Sequence, residues 1–167
     1  MTRSIDDSFV DFVAANRTRL FRTAYLLVGD AHRAEDIVQT ALTKLYAAWS
    51  RVSAVDNVEA YARRAVINAH LSERRRPWRR ERLILDALEP PSAHDPDLGD
   101  VDALWTALRG LPLGQRRIVL LRHYWGLSVA ETAADLGIAE GTVKRQTWTA
   151  LNSLRSALAT TDSSGGI

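Results

Sequence analysis

The 167-residue chain contains no cysteine, and its four histidines are scattered along the sequence. Without cysteine this chain has no disulfide framework, no thiolate nucleophile and no cysteine-ligated metal. His32, His70, His94 and His123 form no catalytic or ligand-spaced cluster, and no glycine-rich phosphate loop occurs. We therefore predict no catalytic residue, no metal site and no cofactor.

Long apolar runs are also missing from the chain. No segment approaches the roughly 20 consecutive apolar residues that span a bilayer. The N-terminus MTRSIDDSF lacks the apolar centre of a signal peptide. The 46% share of hydrophobic residues is nevertheless ordinary for a globular protein. We therefore expect a folded cytoplasmic protein without membrane insertion.

The formal net charge of +2 conceals two opposed blocks. Residues 63–82 carry eight arginines against two glutamates, a net charge of +6, whereas residues 83–103 carry six acidic groups and no lysine or arginine, a net charge of −6. The basic block is a candidate site for a polyanion, because neutralised phosphates release counterions. The alternative is a solvated run of charge without a ligand.

Three amphipathic helices are predicted in the first half of the chain. Apolar side chains between Phe9 and Leu27 form an imperfect stripe that ends at a break at Gly29 and Asp30. The second stripe has the cleanest helical spacing and comprises Ile37, Val38, Ala41, Leu42, Leu45, Tyr46 and Trp49. After a polar loop, the third helix has one apolar face and an opposite face with Arg64, Asn68 and Arg75.

The segment from about residue 77 to residue 102 contains four of the five prolines and is rich in aspartate. It predicts an extended linker, with room for a short helix at residues 82–88. From Val101 the helical pattern resumes with four helices, followed by a polar, glycine-rich tail. The predicted fold is all-α, with helical domains at residues 1–78 and 103–160, a linker at 79–102 and a disordered tail at 161–167.

Residues 126–158 have the pattern of a helix, a tight turn and a second helix. Ser128 and Glu131 form a capping-box pair that predicts a helix start. Gly137 is placed to end this helix in the left-handed conformation, with Ile138 as a buried turn residue. On the second helix, the stripe predicted to face the core is Val143, Thr147, Ala150, Leu154 and Leu158.

The opposite face of this second helix is rich in hydrogen-bond donors and suits DNA phosphates and base edges. It comprises Gly141, Arg145, Trp148, Thr149 and Asn152, flanked by Lys144 and Gln146. The alternative is a solvated surface helix of any small bundle, which periodicity alone does not exclude. The joint order of capping box, glycine turn, Ile138 and cationic helix favours DNA.

Three sequence blocks resemble, in order and spacing, the extracytoplasmic-function (ECF) sigma factors of the bacterial sigma-70 family, and within it the SigE-like actinobacterial subgroup. The blocks are GDAHRAEDIVQTALTKLYAAW, EAYARRAVINAHLSERRR and LPLGQRRIVLLRHYWGLSVAETAADLGIAEGTVK. The resemblance implies two promoter-binding domains, sigma region 2 and sigma region 4. The implied partners are core RNA polymerase and promoter DNA, with an anti-sigma factor as a further candidate partner.

In this family the helix that contains the AEDIVQ sequence docks on a coiled coil of the largest polymerase subunits. The resemblance therefore assigns polymerase contacts to Glu35, Asp36 and Gln39, which form a polar stripe on that helix. The apolar residues of the same helix are interpreted as core residues. Thr40 stands where many members have glutamate, so no contact is assigned to it.

The third helix and its preceding loop resemble the part that melts and holds the minus-ten promoter element. Opening a duplex requires a cationic track for phosphates and pockets for exposed bases. In the loop, Asn57 can read a base edge because its amide is both a donor and an acceptor. The residues that the resemblance assigns to the track are Arg63, Arg64, Asn68, Arg74, Arg75 and Arg76.

The C-terminal module resembles the reader of the minus-thirty-five element, with its second helix in the major groove. Ala139 stands where most relatives have a serine N-cap, which costs about 1 kcal/mol of local stability. Trp148 occupies an outward position, where it could contact DNA or, alternatively, polymerase or an inhibitor. The residues assigned to DNA are Ser128, Thr142, Lys144, Arg145, Gln146, Trp148 and Thr149, with Arg116 and Arg117 assigned to phosphates.

The predicted function is that of a non-enzymatic sigma factor that binds core polymerase, recognises two promoter elements and promotes DNA opening. One alternative is a stand-alone helix-turn-helix transcriptional regulator, and another is a helical interaction protein that binds no DNA. Neither the AEDIVQ helix nor the arginine-rich helix has a role in a stand-alone regulator. The acidic linker has two open interpretations: it occupies a basic channel of polymerase, or it simply stays soluble and extended.

Overall fold

Every regular element is helical in the computed structural model of the chain, which describes residues 4–55, 57–75 and 99–164. No strand occurs in these ranges, and the all-α prediction is confirmed. The chain divides into two compact units, with the boundary between Asp95 and Pro96. The short helix predicted at residues 82–88 lies outside the described residues, as does most of the predicted linker.

The first unit begins with helix α1 (Ile5–Val28), which is capped at both ends. The side chain of Ser4 accepts a backbone N–H of the first turn at 3.1 Å. Gly29 closes the helix in the left-handed conformation, with φ 71°. Asp30 then caps α2 (Ala31–Ala47) by accepting a backbone N–H at 2.8 Å. The predicted break between the first two helices is therefore confirmed.

Helices α1 and α2 pack against each other and against α4 (Val58–Arg75), and the one-turn helix α3 (Trp49–Val52) precedes α4. The core of this unit includes Leu20, Leu26, Leu27, Ile37, Val38, Leu45, Trp49, Val66 and Ile67. The stripe predicted on α2 is wrong at Tyr46, which is 51% exposed. Its ring lies at the rim, edge-on to Phe9, and its hydroxyl donates to Asp6 at 2.7 Å. This carboxylate raises the pKa of the Tyr46 phenol.

Within residues 99–164, the second unit has four α-helices and one π-helical turn. The residues predicted as the end of the linker, 99–102, instead form the first turn of a helix. Asp100 and Asp102 favour this start because carboxylates near a helix N-terminus interact well with the helix dipole. The elements are α5 (Gly99–Leu108), α6 (Leu113–Val119), the π-helical turn (Leu120–Tyr124), α7 (Val129–Leu136) and α8 (Glu140–Ser164).

A compact apolar cluster holds α6, α7 and α8 together. Ile118, Ala133 and Val143 are buried at its centre, and Val129, Leu136 and Ile138 pack against them. Each of the three helices contributes one of the central residues, so the helix-turn-helix is fixed on α6 as well as through its own turn. The stripe predicted on α8 is buried at Val143 and Ala150, and half-buried at Thr147 and Leu154.

The end of α8 differs from the sequence prediction in two respects. Leu158, predicted to face the core, is 60% exposed, because the side chains of residues 155–160 all lie at the surface. The predicted disordered tail is also wrong for residues 161–164, which continue the helix to Ser164. The sequence ALATTDSS contains neither glycine nor proline, so no residue interrupts the backbone hydrogen bonds of the helix there.

Replacing Ser128 with alanine should lower the free energy of unfolding by about 1 kcal/mol. Helix α7 begins with both hydrogen bonds of a capping box, and the substitution removes the one that the Ser128 hydroxyl accepts. Urea denaturation of the full chain, followed by circular dichroism, measures the change. The control S153A, at an exposed site inside α8, should stay within about 0.5 kcal/mol of the unmodified chain. Equal stability of S128A and S153A would show that the capping box is not needed.

Candidate nucleic-acid interface

The turn between α7 and α8 has the geometry that the sequence predicts. The Ser128 hydroxyl accepts from the N–H of Glu131 at 3.0 Å, and the Glu131 carboxylate accepts from the N–H of Ser128 at 2.8 Å. Gly137 adopts φ 65°, and the N–H of Ile138 donates to the Ala133 carbonyl at 3.1 Å. The predicted start and end of α7 are confirmed. In the capping box the Ser128 hydroxyl acts as an acceptor, so it can still donate its hydrogen to DNA. The DNA contact assigned to Ser128 stays a prediction.

The face of α8 opposite the core carries side chains that are predicted to contact DNA. Trp148 stands on this face and is 69% exposed. The Thr149 hydroxyl donates to the Arg145 carbonyl at 3.0 Å, so its hydrogen is already bound within the helix. Thr142 and Gln146 are half-buried, whereas the exposed members of this face are Gly141, Lys144, Arg145, Trp148 and Thr149.

Arg116 serves the fold of the second unit, and its predicted contact with a DNA phosphate stays a prediction. Its guanidinium donates to the carbonyls of Leu108, Arg109 and Leu111 at 3.3, 3.1 and 3.2 Å. It also lies over the ring of Trp105, with Cζ 4.7 Å from the ring centroid. The last turn of α5 contains no basic residue of its own. Arg116 supplies the cation that satisfies carbonyl groups at this helix end.

Two other arginines near α6 differ in their surroundings. Arg117 is half-buried, and its predicted phosphate contact stays a prediction. Arg122, which the sequence analysis does not single out, donates to the carbonyl of Leu127, the residue before the N-cap of α7. The N–H of Leu127 donates to the Leu121 carbonyl at 3.0 Å, so both hydrogen bonds fix the chain at this point. The sequence pattern does not reveal them because they depend on the π-helical turn.

The outward face of α4 carries only part of the predicted phosphate track. Arg64 and Asn68 are exposed and one turn apart, as the sequence predicts. Arg63 is 6% exposed, so its assignment to the track is wrong. It stands three residues after Ala60 and three before Val66, which are both buried, and this spacing places it on the core face.

The loop before α4 positions the start of that helix. The Asn57 Oδ1 accepts from the N–H of Ala60 at 3.0 Å, so Asn57 is the N-cap of α4. The Asn57 oxygen is therefore already hydrogen-bonded within the helix cap. The amide nitrogen is the side-chain group of Asn57 that could contact a base. Val55 of this loop is exposed. The described part of the chain does not include Asp56, Arg76 or the side chains of Arg74 and Arg75. The contacts assigned to these three arginines stay predictions.

A polar stripe on α2, formed by Glu35, Asp36 and Gln39, lies opposite the buried residues of that helix. Glu35 and Gln39 are one turn apart, and the Gln39 amide donates to the Glu35 carboxylate at 3.4 Å. Glu35 also forms an ion pair with Arg17 of α1, in which both side chains are partly exposed. Asp36 and Gln39 are exposed. The stripe is therefore accessible, with one of its carboxylates already paired inside the unit.

The described residues contain neither a candidate metal centre nor a candidate membrane span. In the ranges that the structure covers, no group of three or more histidine, aspartate or glutamate side chains could hold a metal ion. None of the helices described there combines the length and apolar character that a bilayer crossing requires. The residues predicted to contact polymerase or DNA lie mainly on the exposed faces of α2, α4 and α8.

Both units match sigma-70 family models. The model described as Sigma-70 region 2 matches residues 12–80 and so takes in most of α1 and all of α2, α3 and α4. The model described as Sigma-70, region 4 matches residues 102–147, from α5 to the second turn of α8. The two matches fall on different units of the chain.

Known proteins are similar to nearly the whole chain. The RNA polymerase sigma-E factor of Streptomyces avermitilis is 35% identical over 163 residues, which cover 92% of this chain and 87% of the relative. The ECF RNA polymerase sigma factor SigL of Mycobacterium tuberculosis is 33% identical over 150 residues, covering 83% and 82%. The sigma factor RpoE of Bartonella quintana, crystallised with the anti-sigma factor NepR, gives a TM-score of 0.75 at 28% identity, covering 91% of this chain and 97% of that one.

Replacing Arg116 with alanine should destabilise the second unit, because three carbonyl groups lose a charged donor. We expect a loss of about 1.5–3 kcal/mol in the free energy of unfolding, measured by urea denaturation of the full chain. The matched control R145A removes an exposed arginine of α8 and should change stability by less than about 0.5 kcal/mol. Equal stabilities of the two variants would contradict the structural role of Arg116.

Proposed function

The chain belongs to the ECF RNA polymerase sigma factors of the sigma-70 family, and we propose that it directs core RNA polymerase to promoters as the specificity subunit. It acts in the cytoplasm and contributes contacts rather than a catalytic step. The main support is that one chain carries two units matched by different sigma-70 models, each with an exposed polar or basic helix face. A stand-alone helix-turn-helix regulator is not favoured, because it leaves the whole first unit without a role.

The polar stripe of α2 is the proposed contact with core polymerase. Asp36 and Gln39 are exposed, and the opposite face of the helix is part of the core of the first unit, so the stripe is held on a rigid element. Glu35 is paired with Arg17, but both side chains are about two-fifths exposed. Ion pairs at such exposed sites contribute about 1 kcal/mol or less. Glu35 can therefore exchange Arg17 for a cation of polymerase at little cost.

The outward face of α4 is the proposed contact with the opened minus-ten element. Arg64 and Asn68 are exposed one turn apart, so a guanidinium and an amide can follow neighbouring groups of a single strand. Asn57 fixes the start of the helix and keeps an amide nitrogen for a base. Positions 74 and 75 continue the same helix and add two further arginines to its C-terminal end. A cationic helix face of this kind suits a strand whose phosphates are exposed by melting.

Helix α8 is the proposed reader of the minus-thirty-five element. The major groove is about 12 Å wide and admits an α-helix. Lys144 and Arg145 stand exposed in the second turn of α8, within the part of a recognition helix that enters the groove. An arginine there can donate two hydrogen bonds to guanine, and a lysine can contact guanine or a phosphate. Thr142 and Gln146 are half-buried and flank this pair.

An anti-sigma factor is a further proposed partner. The Bartonella relative was crystallised with one. In this chain the proposed polymerase and DNA contacts include exposed residues of both units, among them Asp36, Arg64 and Arg145. A protein that covered any of these surfaces would compete directly with polymerase or DNA. Inhibition of this kind requires no change in the fold of the sigma factor.

The proposed function predicts specific initiation in a reconstituted system. The purified chain, added to core polymerase of the same bacterium, should co-elute with it in gel filtration and yield discrete run-off transcripts from some genomic promoter fragments. Core polymerase without the chain is the control and should give no discrete start site on these fragments. If the chain neither binds core polymerase nor produces a specific start, the proposed function is wrong.

The two faces of the first unit should separate polymerase binding from DNA opening. The double substitution of Arg64 and Asn68 by alanine should lower open-complex formation, read by permanganate reactivity of unpaired thymines, by about tenfold or more. Its affinity for core polymerase should change by less than about twofold. Substituting Asp36 and Gln39 by alanine serves as the matched comparison and should weaken polymerase binding first. An equal loss of both properties in the two variants would refute the assignment.

A further inference from the structure

Trp148 is a large apolar side chain on the most polar face of α8. It is 69% exposed, whereas Trp49 and Trp125 are buried. A single exposed apolar residue is common on protein surfaces and needs no explanation by itself. Its position on the helix is therefore the observation that matters.

Trp148 shares a stripe with Gly141 and Arg145, at the helical spacing i, i+4 and i+7. The rise of about 1.5 Å per residue places the three positions within about 11 Å along the helix axis. All three are exposed, and a Cβ built on Gly141 meets no atom within 4 Å. Along α8 the stripe thus begins at Gly141, which has no side chain, continues with the cation of Arg145 and ends at the indole of Trp148. A helix placed in the groove by this face brings Trp148 to the base edges together with Arg145.

The hydrogen bond of the neighbouring Thr149 makes this surface more apolar than its sequence suggests. The Thr149 hydroxyl donates to the Arg145 carbonyl at 3.0 Å. Exposed Thr149 therefore offers DNA its methyl group and an acceptor rather than a donor. The Trp148 indole and the Thr149 methyl group thus form a small apolar surface beside Lys144 and Arg145.

We propose that Trp148 determines promoter specificity by packing against the 5-methyl group of a thymine in the minus-thirty-five element. The thymine methyl is the one apolar group among the base-edge groups of the major groove, and apolar side chains recognise it. An indole is large enough to cover it and shield it from water. This inference rests on the proposed function, because it assumes that α8 reads the promoter.

The experiment first identifies the element that the chain selects. Holoenzyme reconstituted from core polymerase and the full chain is used to enrich bound sequences from a library that is randomised upstream of a fixed minus-ten element. The W148A variant is enriched in parallel. The unmodified chain should select a thymine at one position, and W148A should lose the preference at that position while keeping the others.

The second step tests the methyl group alone. Each thymine of the selected element is replaced in turn by deoxyuridine, which lacks only the methyl. At one position the replacement should weaken holoenzyme binding about fourfold, as expected when one methyl group is no longer buried. W148A holoenzyme should bind the thymine and deoxyuridine promoters equally. The control L158A removes an apolar side chain of similar exposure at the far end of α8 and should keep the full fourfold difference.

The outcomes separate this inference from the proposed function. Failure of the chain to produce any specific start site would overturn the proposed function itself. Specific initiation from an element without thymine, or binding that is insensitive to deoxyuridine at every position, would overturn only the role of Trp148. A methyl effect that persists in W148A would do the same. Weakened binding of W148A to core polymerase or to an anti-sigma factor, with the methyl effect intact, would assign Trp148 to a protein interface instead.

Discussion

The position of each proposed contact depends on where the helices begin and end, because a shift of one residue turns a helix face by about 100°. The chain has no cysteine with which to fix these points. Side-chain caps and glycine turns fix them instead, and each satisfies backbone groups that a helix end leaves free. The N-terminal caps are Ser4, Asp30, Asn57 and Ser128, and the left-handed closures are Gly29 and Gly137.

Arginine has two different roles in this chain, and the net charge of a segment does not distinguish them. Arg63 is buried in the first unit, whereas Arg64 next to it is exposed. In the second unit, Arg116 and Arg122 bond to backbone carbonyls, whereas Arg145 is exposed. A guanidinium with five donors and an apolar stem suits both a helix end and a phosphate. The basic block therefore overstates the number of arginines that can meet DNA.

The sequence predicts structural features that depend on residues close together in the chain. It does not predict burial or hydrogen-bond partners that depend on a distant helix. The capping box at Ser128, the closure at Gly137 and the buried stripe of α2 all follow from local spacing. Tyr46 and Leu158 have the same helical spacing as the buried residues of their helices. Both are exposed, because burial depends on whether another helix packs against that position. Arg116 cannot be assigned locally either, because its partners are carbonyls around the end of another helix. In the candidate site, the sequence predicts which helix faces are exposed. It does not predict which polar atoms on them are already hydrogen-bonded within the fold.

The separation between packed and exposed faces of α8 explains how a shared fold can accommodate different promoters. Val143 and Ala150 are fully buried, so their size is constrained by α6 and α7 or by other residues of the unit. Lys144, Arg145 and Trp148 are exposed, and substitutions at such sites usually change stability by less than about 0.5 kcal/mol. One changed base contact alters binding by about 1–3 kcal/mol. If α8 reads the promoter as proposed, substitution on this face changes DNA preference far more than stability, and similarity of fold to other sigma factors does not determine the promoter.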